Sequence, residues 1–338
     1  MPRSYGQPVQ DQSQVAEARR NATLIAQRHG LTEEAVSDVA IVVTELATNL
    51  VKHAGGGQLL FRPLSGASST DLGLEVLSID KGPGIANIPR SLSDGYSTAG
   101  TPGNGLGAVQ RQSQVFDIYS KPGEGTIILS EVWNAPARLA TSPITAPRVG
   151  VVNLPIKGEE HVGDAWAVHH SRGLTAVLVI DGLGHGLAAS EAARAGIDAF
   201  EQSPLRAAGE QMQVLHGALR STRGGAGAVC VVDHARRTVS YCGIGNIAGV
   251  LASDGGERHM VSQSGILGLE AKVRTEFNYP WSDDGVLIMA SDGVTTRWSV
   301  SSQPQLLRKH PALIAAAIYR DHSRGRDDTT VVVVRSGA

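Results

Sequence analysis

The sequence predicts an α+β protein of two domains. Its 338 residues are about twice the length of a common domain, so each half can bury its own core. Residues 135–147 contain three prolines and no periodic apolar pattern, which is typical of a linker. Helical patterns precede strands before this segment, and strands predominate after it. We therefore expect one domain over residues 10–134 and a second over residues 148–338.

The first domain is expected to begin with two helices. Apolar or small residues recur at helical spacing over residues 15–29, and Gly30 ends the pattern. Thr32 is suited to cap a second helix that has acidic residues in its first turn. This helix should end at the glycines of residues 55–57. Strand patterns follow, namely QLLFRPL, LGLEVLSID, VFDIYS and GTIILSEVW.

The second domain is expected to combine many strands with flanking helices. Its strand patterns are VGVVNL, AWAVHH, LTAVLVI, GAVCVVD, TVSYCGIG, IAGVLA, GVLIMA and TTVVVVR. Helical patterns cover residues 187–202 and 207–221. A third, PQLLRKHPALIAAAIYRD, lies before the last strand, and Pro311 can split it.

Charge, cysteine content and apolar runs indicate which partners and which compartment to expect. With 30 basic and 32 acidic residues, the chain lacks the positive field that nucleic acid or an anionic membrane requires. Cys230 and Cys242 are expected to be buried and reduced rather than bridged. The polar N-terminus lacks the apolar segment of a signal peptide, and no apolar run is long enough to span a membrane. We therefore expect a cytoplasmic protein.

Four motifs of the second half place carboxylates at the ends of apolar strands. They are VGDAW with Asp164, VIDGLGHG with Asp181, ASDGV with Asp292, and RGRDDTT with Asp327 and Asp328. Each Asp-Gly pair by itself could be an ordinary turn. Carboxylates at strand ends can also converge on one rim of a sandwich, and oxygen ligands without His or Cys suit Mg²⁺ or Mn²⁺. Two such ions would activate water for attack on a phosphate.

In this order, the motifs resemble the PPM-type metal-dependent phosphatases, specifically their SpoIIE-like bacterial branch. The resemblance covers nearly all of residues 148–338. It implies an α-β-β-α sandwich that removes phosphate from serine or threonine with two Mn²⁺ or Mg²⁺ ions. By the same resemblance Asp181 bridges both ions and the Gly182 carbonyl binds one. Asp292 binds the other with the acidic pair, of which Asp327 is preferred over Asp328.

Three assignments of this second half stay open. Asp164 either completes the metal cluster or is structural. His185 is either a general acid or a residue that shapes the loop between two tight glycines. Larger eukaryotic members of the family carry an arginine that grips the substrate phosphate, and no matching motif precedes Asp164.

The first half carries a second set of motifs. Glu45, Asn49 and His53 recur every four residues along the second predicted helix, so they share a polar stripe. Such a stripe alone is usually a solvated face. However, DKGPGI presents Asp80 after a strand, and GNGLG, residues 103–107, precedes another helical stretch. Glycines before a helix let backbone N–H groups reach phosphate oxygens.

The ordered set ELATNLVKHA, DKGPGI and GNGLG resembles the GHKL ATP-binding (Bergerat) fold. DGYSTAG, PGEGT and a closing Trp133 narrow the resemblance to the RsbT-type switch kinases of the stressosome. It implies an ATP–Mg²⁺ site in which Glu45 is the base that orients the hydroxyl group of the substrate protein. Asn49 is implied to be a magnesium ligand, and Asp80 is implied to recognise the amino group of adenine. The residues implied to shape the rest of the nucleotide pocket are Gly82, Gly84, Gly103, Gly105, Gly107 and Thr126.

Together the two resemblances imply a fusion of a kinase and a phosphatase that act in opposite directions. In the stressosome family, the switch kinase and the RsbX-type phosphatase are separate proteins that act on STAS-domain antagonist or scaffold proteins. The first hypothesis is a bifunctional regulator of such partners, or of a downstream regulator. The alternative is a metal-dependent phosphatase whose GHKL domain only senses ATP or binds a partner. Departures from the kinase pattern at Thr101-Pro102 and Ser113-Gln114 leave this alternative open.

Overall fold

The computed structural model describes residues 3–66, 68–92, 105–134, 147–271 and 275–336. These residues fall into two compact units, one before and one after residues 135–146. Both units combine helices with sheets, which confirms the predicted mixed fold class.

The N-terminal unit contains one antiparallel sheet with helices packed on it. Its elements are β1 (Tyr5–Val9), α1 (Gln12–His29), α2 (Glu33–Asn49), a π-helical turn (Leu50–Ala54), β2 (Gly57–Ser65), β3 (Leu72–Ile79), α3 (Ile88–Leu92), α4 (Gly105–Arg111), β4 (Val115–Lys121) and β5 (Gly125–Trp133). The strand order is β1-β2-β3-β5-β4, and every pair is antiparallel. Apolar residues of α1 and α2 form one core with alternate residues of β2, β3 and β5.

Local sequence explains where the first two helices begin and end. Asp11 caps α1, because its carboxylate accepts the backbone N–H groups of Ser13 and Gln14. Gly30 ends this helix in a left-handed conformation with φ of 92°. Thr32 caps α2 as predicted, since its hydroxyl accepts the N–H of Ala35.

The apolar stripe of α2 is buried, but the end of this helix differs from the prediction. Val39, Val42, Leu46 and Leu50 are at most 1% exposed. From Leu50 the backbone continues as a π-helical turn, which the periodicity did not indicate. A π turn adds one residue per turn and so rotates the side chains that follow it.

The C-terminal unit is a sandwich of two sheets with helices outside. Its elements are β6 (Arg148–Leu154), β7 (Asp164–Ser171), β8 (Leu174–Gly182), α5 (Leu187–Glu201), α6 (Ala208–Ala218), β9 (Gly225–Asp233), β10 (Thr238–Ile244), β11 (Ala248–Ser253), β12 (Gly256–Met260), β13 (Ser262–Gln263), β14 (Phe277–Pro280), β15 (Val286–Ala290), α7 (Pro304–Leu307), α8 (Pro311–His322) and β16 (Thr329–Arg335). One sheet has the order β13-β10-β9-β8-β7 with β14 beside β10, and the other has the order β12-β11-β15-β16-β6.

Alternation along the central strands builds the layers of this sandwich. In β8, Val177 and Val179 join the core between the sheets, whereas Leu178 and Ile180 join the core under α5 and α6. Because both faces are covered, the strand reads as a continuous apolar run. On the second sheet α8 packs against β6 and β16. Pro311 does split the predicted helix, since it is the first residue of α8.

Four strands lie where no strand pattern was predicted, namely β1, β12, β13 and β14. All are short, and all but β14 lie at the end of a strand order, so they need little apolar sequence to pair. Both cysteines are free and buried. None of the helices within the described residues is both long and apolar enough to cross a membrane.

Candidate active sites

Two aspartates face each other at the rim of the C-terminal sandwich. Asp164, the first residue of β7, is the register partner of Asp181 near the end of β8. Asp164 is only 4% exposed, and its Oδ2 atom has no hydrogen-bond partner within the described residues. Like charges directly opposite on paired strands repel each other. The pair therefore requires protons or a bound cation.

Burial and neighbouring carboxylates both disfavour the charged forms of this pair. Burial raises the pKa of Asp164 to about 7, opposed by hydrogen bonds from Ser291 and Thr330. Burial, followed by the charges of Asp164, Asp292 and Asp327, raises the pKa of Asp181 to about 9. Carboxylates from four separate motifs are thus close enough to act on one another.

Antiparallel pairing of β15 with β16 brings the remaining aspartates to the same rim. Asp292 follows β15 and Asp327 precedes β16, and Ala290 is paired with Val331. The glycine of the SDG motif is required here, because a Cβ atom on Gly293 would clash with the Asp328 carbonyl oxygen. Asn246 donates a hydrogen bond of 2.7 Å from Nδ2 to Asp292 Oδ2. Sequence reasoning missed Asn246, whose only signal is a polar residue after strand β10.

The two members of the acidic pair have different surroundings. Asp328 is 3% exposed and accepts the backbone N–H groups of Ile156 at 2.7 Å and Gly163 at 2.6 Å. It therefore ties the β6–β7 loop to β16. Asp327 is exposed and accepts the N–H of Asp328. This difference supports Asp327 as the metal ligand of the pair.

Replacing each member of the pair by alanine should separate these roles. Asp328→Ala should lower the free energy of unfolding by about 3 kcal/mol, since it removes two hydrogen bonds to a charged acceptor. Asp327→Ala should change stability little, because this side chain is solvated, and should instead weaken metal binding. Chemical denaturation and isothermal titration with Mn²⁺ measure the two effects. Equal loss of stability in both variants would contradict the distinction.

The aspartate carboxylates at this rim suit divalent cations, although they are not grouped closely enough in the described residues to form a complete coordination shell. Within the described ranges, no three His, Cys, Asp or Glu side chains are already grouped so as to hold a metal ion. Asp328 is directed at backbone amides, and Asp292 is held by Asn246. The unpartnered oxygen of Asp164 and the all-oxygen donors are nevertheless what Mg²⁺ or Mn²⁺ prefers. Asp164, Asp181, Asp292 and Asp327 are the side chains that would hold them.

The DGLGHG loop completes the rim. Gly182 donates its N–H to the Gly163 carbonyl at 3.0 Å, and a Cβ atom on Gly182 would clash with the Ala189 carbonyl. His185 Nδ1 lies 2.9 Å from Oε1 of Glu159 in the β6–β7 loop. The His185 side chain is 64% exposed. This contact supports a role for His185 in shaping the loop, and Glu159 is a partner that the sequence did not indicate.

Metal binding should stabilise the C-terminal unit more strongly as pH rises. Because folding raises the pKa of Asp164 and Asp181, their contribution to stability is present below about pH 4 and is lost as pH rises through about 7 and 9. Metal competes with those protons and relieves the repulsion. At a hundred times its Kd, Mn²⁺ should add about 2.7 kcal/mol, and roughly 5 to 10 °C to the Tm near pH 8. Thermal unfolding with Mn²⁺ or with a chelator, near pH 6 and near pH 8, measures the difference. A Tm increment that falls toward pH 8 would contradict it.

The N-terminal unit contains a cavity of about 620 Å³, which is the size of a typical small-molecule site. It lies between α2, the π-helical turn, β3, β5, α3 and α4. The predicted residues that line it are Glu45, Asn49, Asp80, Gly84, Gly105 and Thr126. Four separate stretches of sequence therefore meet at one cavity.

Asp80 is held by backbone groups on both sides. Its Oδ1 atom accepts the N–H of Gly82 at 2.8 Å and the N–H of Thr126 at 3.1 Å. The Thr126 hydroxyl in turn lies 2.8 Å from the Ser120 hydroxyl. These contacts fix the carboxylate at the floor of the cavity, where it can accept a hydrogen bond from a ligand amino group. The left-handed Gly84 (φ 72°) carries the chain past Lys121.

Glu45 and Asn49 are one turn apart on α2 and face the first residue of α4. A Cβ atom on Gly105 would lie 3.6 Å from Glu45 Oε2 and 3.9 Å from Asn49 Oδ1. A carboxylate and an amide thus lie beside the entry to α4. Gly107 is buried inside α4, and Gly82 packs against Ala54, so neither lines the cavity. Gly103, DGYSTAG and Thr101-Pro102 lie outside the described residues.

The cavity has further polar residues that the motifs did not indicate. Lys52, Asn87 and Arg90 line it, and the latter two lie at α3, which is too short to show a periodic pattern. Ser113 and Gln114, by contrast, have structural contacts. The Ser113 hydroxyl lies 2.5 Å from the Ser130 hydroxyl, and Gln114 Oε1 accepts the backbone N–H of Trp133. This departure from the kinase pattern therefore fastens α4 to β5, outside the cavity.

Fold and site geometry together define a chain with an ATPase-like unit followed by a phosphatase-like unit. Residues 9–130 match the histidine kinase-like ATPase domain family, and residues 171–337 match the stage II sporulation protein E (SpoIIE) family. A curated relative is the serine/threonine-protein kinase RsbT of Bacillus subtilis (strain 168), which is 33% identical over 119 residues, 35% of this chain and 88% of RsbT. The chain thus belongs to the RsbT family through its N-terminal unit and carries a SpoIIE-type phosphatase domain at its C-terminal end.

Solved structures resemble part of this chain. One is a chain from "The bacterial stressosome: a modular system that has been adapted to control secondary messenger signaling". It is 27% identical with a TM-score of 0.53, covering 56% of this chain and 100% of its own. RsbX in complex with magnesium is 20% identical with a TM-score of 0.51, and the match covers 56% of this chain and 95% of RsbX. The likeness to RsbX shows the fold alone.

Proposed function

We propose that this chain is a bifunctional regulator of a partner-switching pathway. The N-terminal domain, residues 10–134, phosphorylates serine or threonine of a partner protein with ATP–Mg²⁺. The C-terminal domain, residues 148–338, removes that phosphate with two Mn²⁺ or Mg²⁺ ions, and residues 135–147 link the two. The observation that carries the proposal is the pair of acidic sites, since each of the two units of one chain has its own.

The phosphatase half rests on the opposed Asp164 and Asp181. Their repulsion and the unpartnered Asp164 oxygen are a source of binding free energy for cations. Ions bound there would lower the pKa of a water molecule and neutralise the charge on the phosphate. Asn246 holds Asp292 in place, and Asp328 fixes the loop that carries Asp164. These residues position the donors without taking part in proton transfer.

The kinase half rests on Glu45 and Asn49 beside the cavity. Phosphoryl transfer depends mainly on positioning and charge neutralisation. The Glu45 carboxylate can accept the proton of a partner hydroxyl, while Asn49 offers an amide oxygen to Mg²⁺. Asp80 binds the adenine amino group, and Lys52 and Arg90 line the same cavity, where cations offset the phosphate charge.

The nature of the partner follows from the relatives. RsbT is a serine/threonine-protein kinase, and one similar structure comes from work on the bacterial stressosome. We propose STAS-domain proteins of the same pathway as substrates of both domains, and the cytoplasm as the compartment. Basic and acidic residues are nearly equal in number in this chain, which gives no support to nucleic acid as a partner.

A label-transfer experiment tests the whole proposal. The purified chain is incubated with candidate STAS-domain proteins and γ-labelled ATP with Mg²⁺, and the labelled product is then exposed to the chain with Mn²⁺ and no ATP. The expected result is label transfer in the first step and its release as inorganic phosphate in the second. If no label is transferred, a STAS-domain protein that has been phosphorylated separately replaces the labelled product in the second step, and its dephosphorylation would leave a phosphatase with an ATP-sensing or partner-binding domain. Absence of both would reject the proposal.

A further inference from the structure

Three exposed leucines lie near the aspartate rim of the C-terminal unit. Leu183, Leu187 and Leu269 are 47%, 58% and 54% exposed. Among the described residues of this unit, Val261 is the one other large apolar side chain with comparable exposure, at 52%. Single exposed apolar residues are ordinary, but grouped ones mark interaction sites. The position of these three therefore matters.

Backbone contacts bring two of the leucines to the same point. The N–H of Leu183 donates to the Gly224 carbonyl at 2.9 Å. A Cβ atom on Gly224 would lie 3.5 Å from Leu269 Cγ. Leu183 is also two residues from Asp181, and Leu187 begins α5 at the end of the same loop. The three leucines, which we call the leucine rim, thus lie at or beside the loop that follows Asp181.

An arginine lies beside the loop that joins Leu183 to Leu187. Arg223 Nη1 is 3.5 Å from the position that a Cβ atom on Gly184 would take, so the guanidinium lies over the DGLGHG loop. Arg223 is exposed and forms no ion pair with any carboxylate in the part of the chain that the structure describes. A guanidinium presents paired N–H donors that match a phosphate. A phosphate group supplies the complementary charge that Arg223 lacks.

We propose that the leucine rim and Arg223 form the docking surface for a phosphorylated protein segment, with the phosphate against Arg223 and an apolar side chain of the substrate against the leucines. The inference rests on the proposed phosphatase function and adds its specificity. A small phosphate ester can use Arg223 and the aspartates alone. A phosphoserine peptide with a neighbouring leucine can use the leucine rim as well.

Kinetics with three substrates test this surface. They are para-nitrophenyl phosphate and two phosphoserine peptides that differ only in leucine or serine beside the phosphoserine. Leu269→Ser and Leu187→Ser should each lower kcat/KM for the leucine peptide about tenfold, with a much smaller change for the other two substrates. Val261→Ser is the matched control and should leave all three values unchanged.

Arg223 should behave differently from the leucines, because every substrate carries phosphate. Arg223→Ala should raise KM for all three substrates, and Arg223→Lys should be intermediate, since lysine keeps the charge and loses the paired donors. An Arg223→Ala variant with wild-type KM for para-nitrophenyl phosphate would overturn the role of this residue.

Two outcomes separate the inference from the function on which it rests. If the wild-type chain with Mn²⁺ hydrolyses none of the substrates, the proposed phosphatase function fails and the docking surface falls with it. If it hydrolyses para-nitrophenyl phosphate but the leucine variants match Val261→Ser on both peptides, the docking surface alone is wrong. Sedimentation of the same variants tests whether a second copy of this chain occupies the leucine rim instead. A dimer that Leu269→Ser dissociates would assign the leucine rim to that second copy and overturn the docking surface.

Discussion

Asp181→Asn should abolish phosphatase activity while making the metal-free protein no less stable. The substitution keeps the shape of the side chain and removes the charge of a residue that would hold the metal ions, so kcat/KM should fall at least about a thousandfold. In the absence of metal, the folded chain no longer places two carboxylates opposite each other on β7 and β8. The Tm in a chelator should therefore stay constant or rise.

Activity, Tm in chelator and the Tm increment with Mn²⁺ should be measured together. Asp198→Asn is a matched control, because it makes the same change on the exposed face of α5. It should keep wild-type activity and the wild-type response to Mn²⁺. An Asp181→Asn protein that keeps the full Mn²⁺ increment would show that the ions bind elsewhere, and one that loses stability would show a structural role instead.

Glu45→Gln should stop phosphoryl transfer without emptying the nucleotide cavity. General base catalysis typically contributes about 10²- to 10⁴-fold, so labelling of a partner should fall by at least a hundredfold. Glutamine preserves the side-chain size beside Gly105, and Asp80, which we assign to adenine recognition, is untouched. The affinity for ATP should therefore change by less than about threefold.

Label transfer and calorimetric titration with ATP separate these two effects. Glu17→Gln on the exposed face of α1 is the control and should behave as wild type in both. Undiminished transfer in Glu45→Gln would remove this residue from the catalytic role. If the wild-type chain binds ATP but never labels a partner, the result would favour the ATP-sensing alternative over the kinase.

The long apolar elements of both units follow from sequence because their physical basis is local. The periodicity of α1, α2 and α5 and the apolar runs of β8, β9 and β16 reflect burial that is set residue by residue. The N-cap at Thr32 and the start of α8 at Pro311 depend on neighbours a few residues away. The short strands β12 and β14 and the π-helical turn carry no such signal, because pairing and packing with distant segments produce them.

The sequence by itself determined the two-unit α+β architecture, the family and the order of the motifs with Glu45, Asp80 and Asp181. Only the tertiary structure shows that Asp164 is paired with Asp181 and that Asp328 accepts hydrogen bonds from two backbone amides. It also shows that Arg223 lies over the loop that follows Asp181. The physical reason is distance along the chain. A motif consists of residues that are close together in the sequence, so it can be recognised there. The partner of a buried carboxylate depends instead on strand register and on loops that meet only after folding.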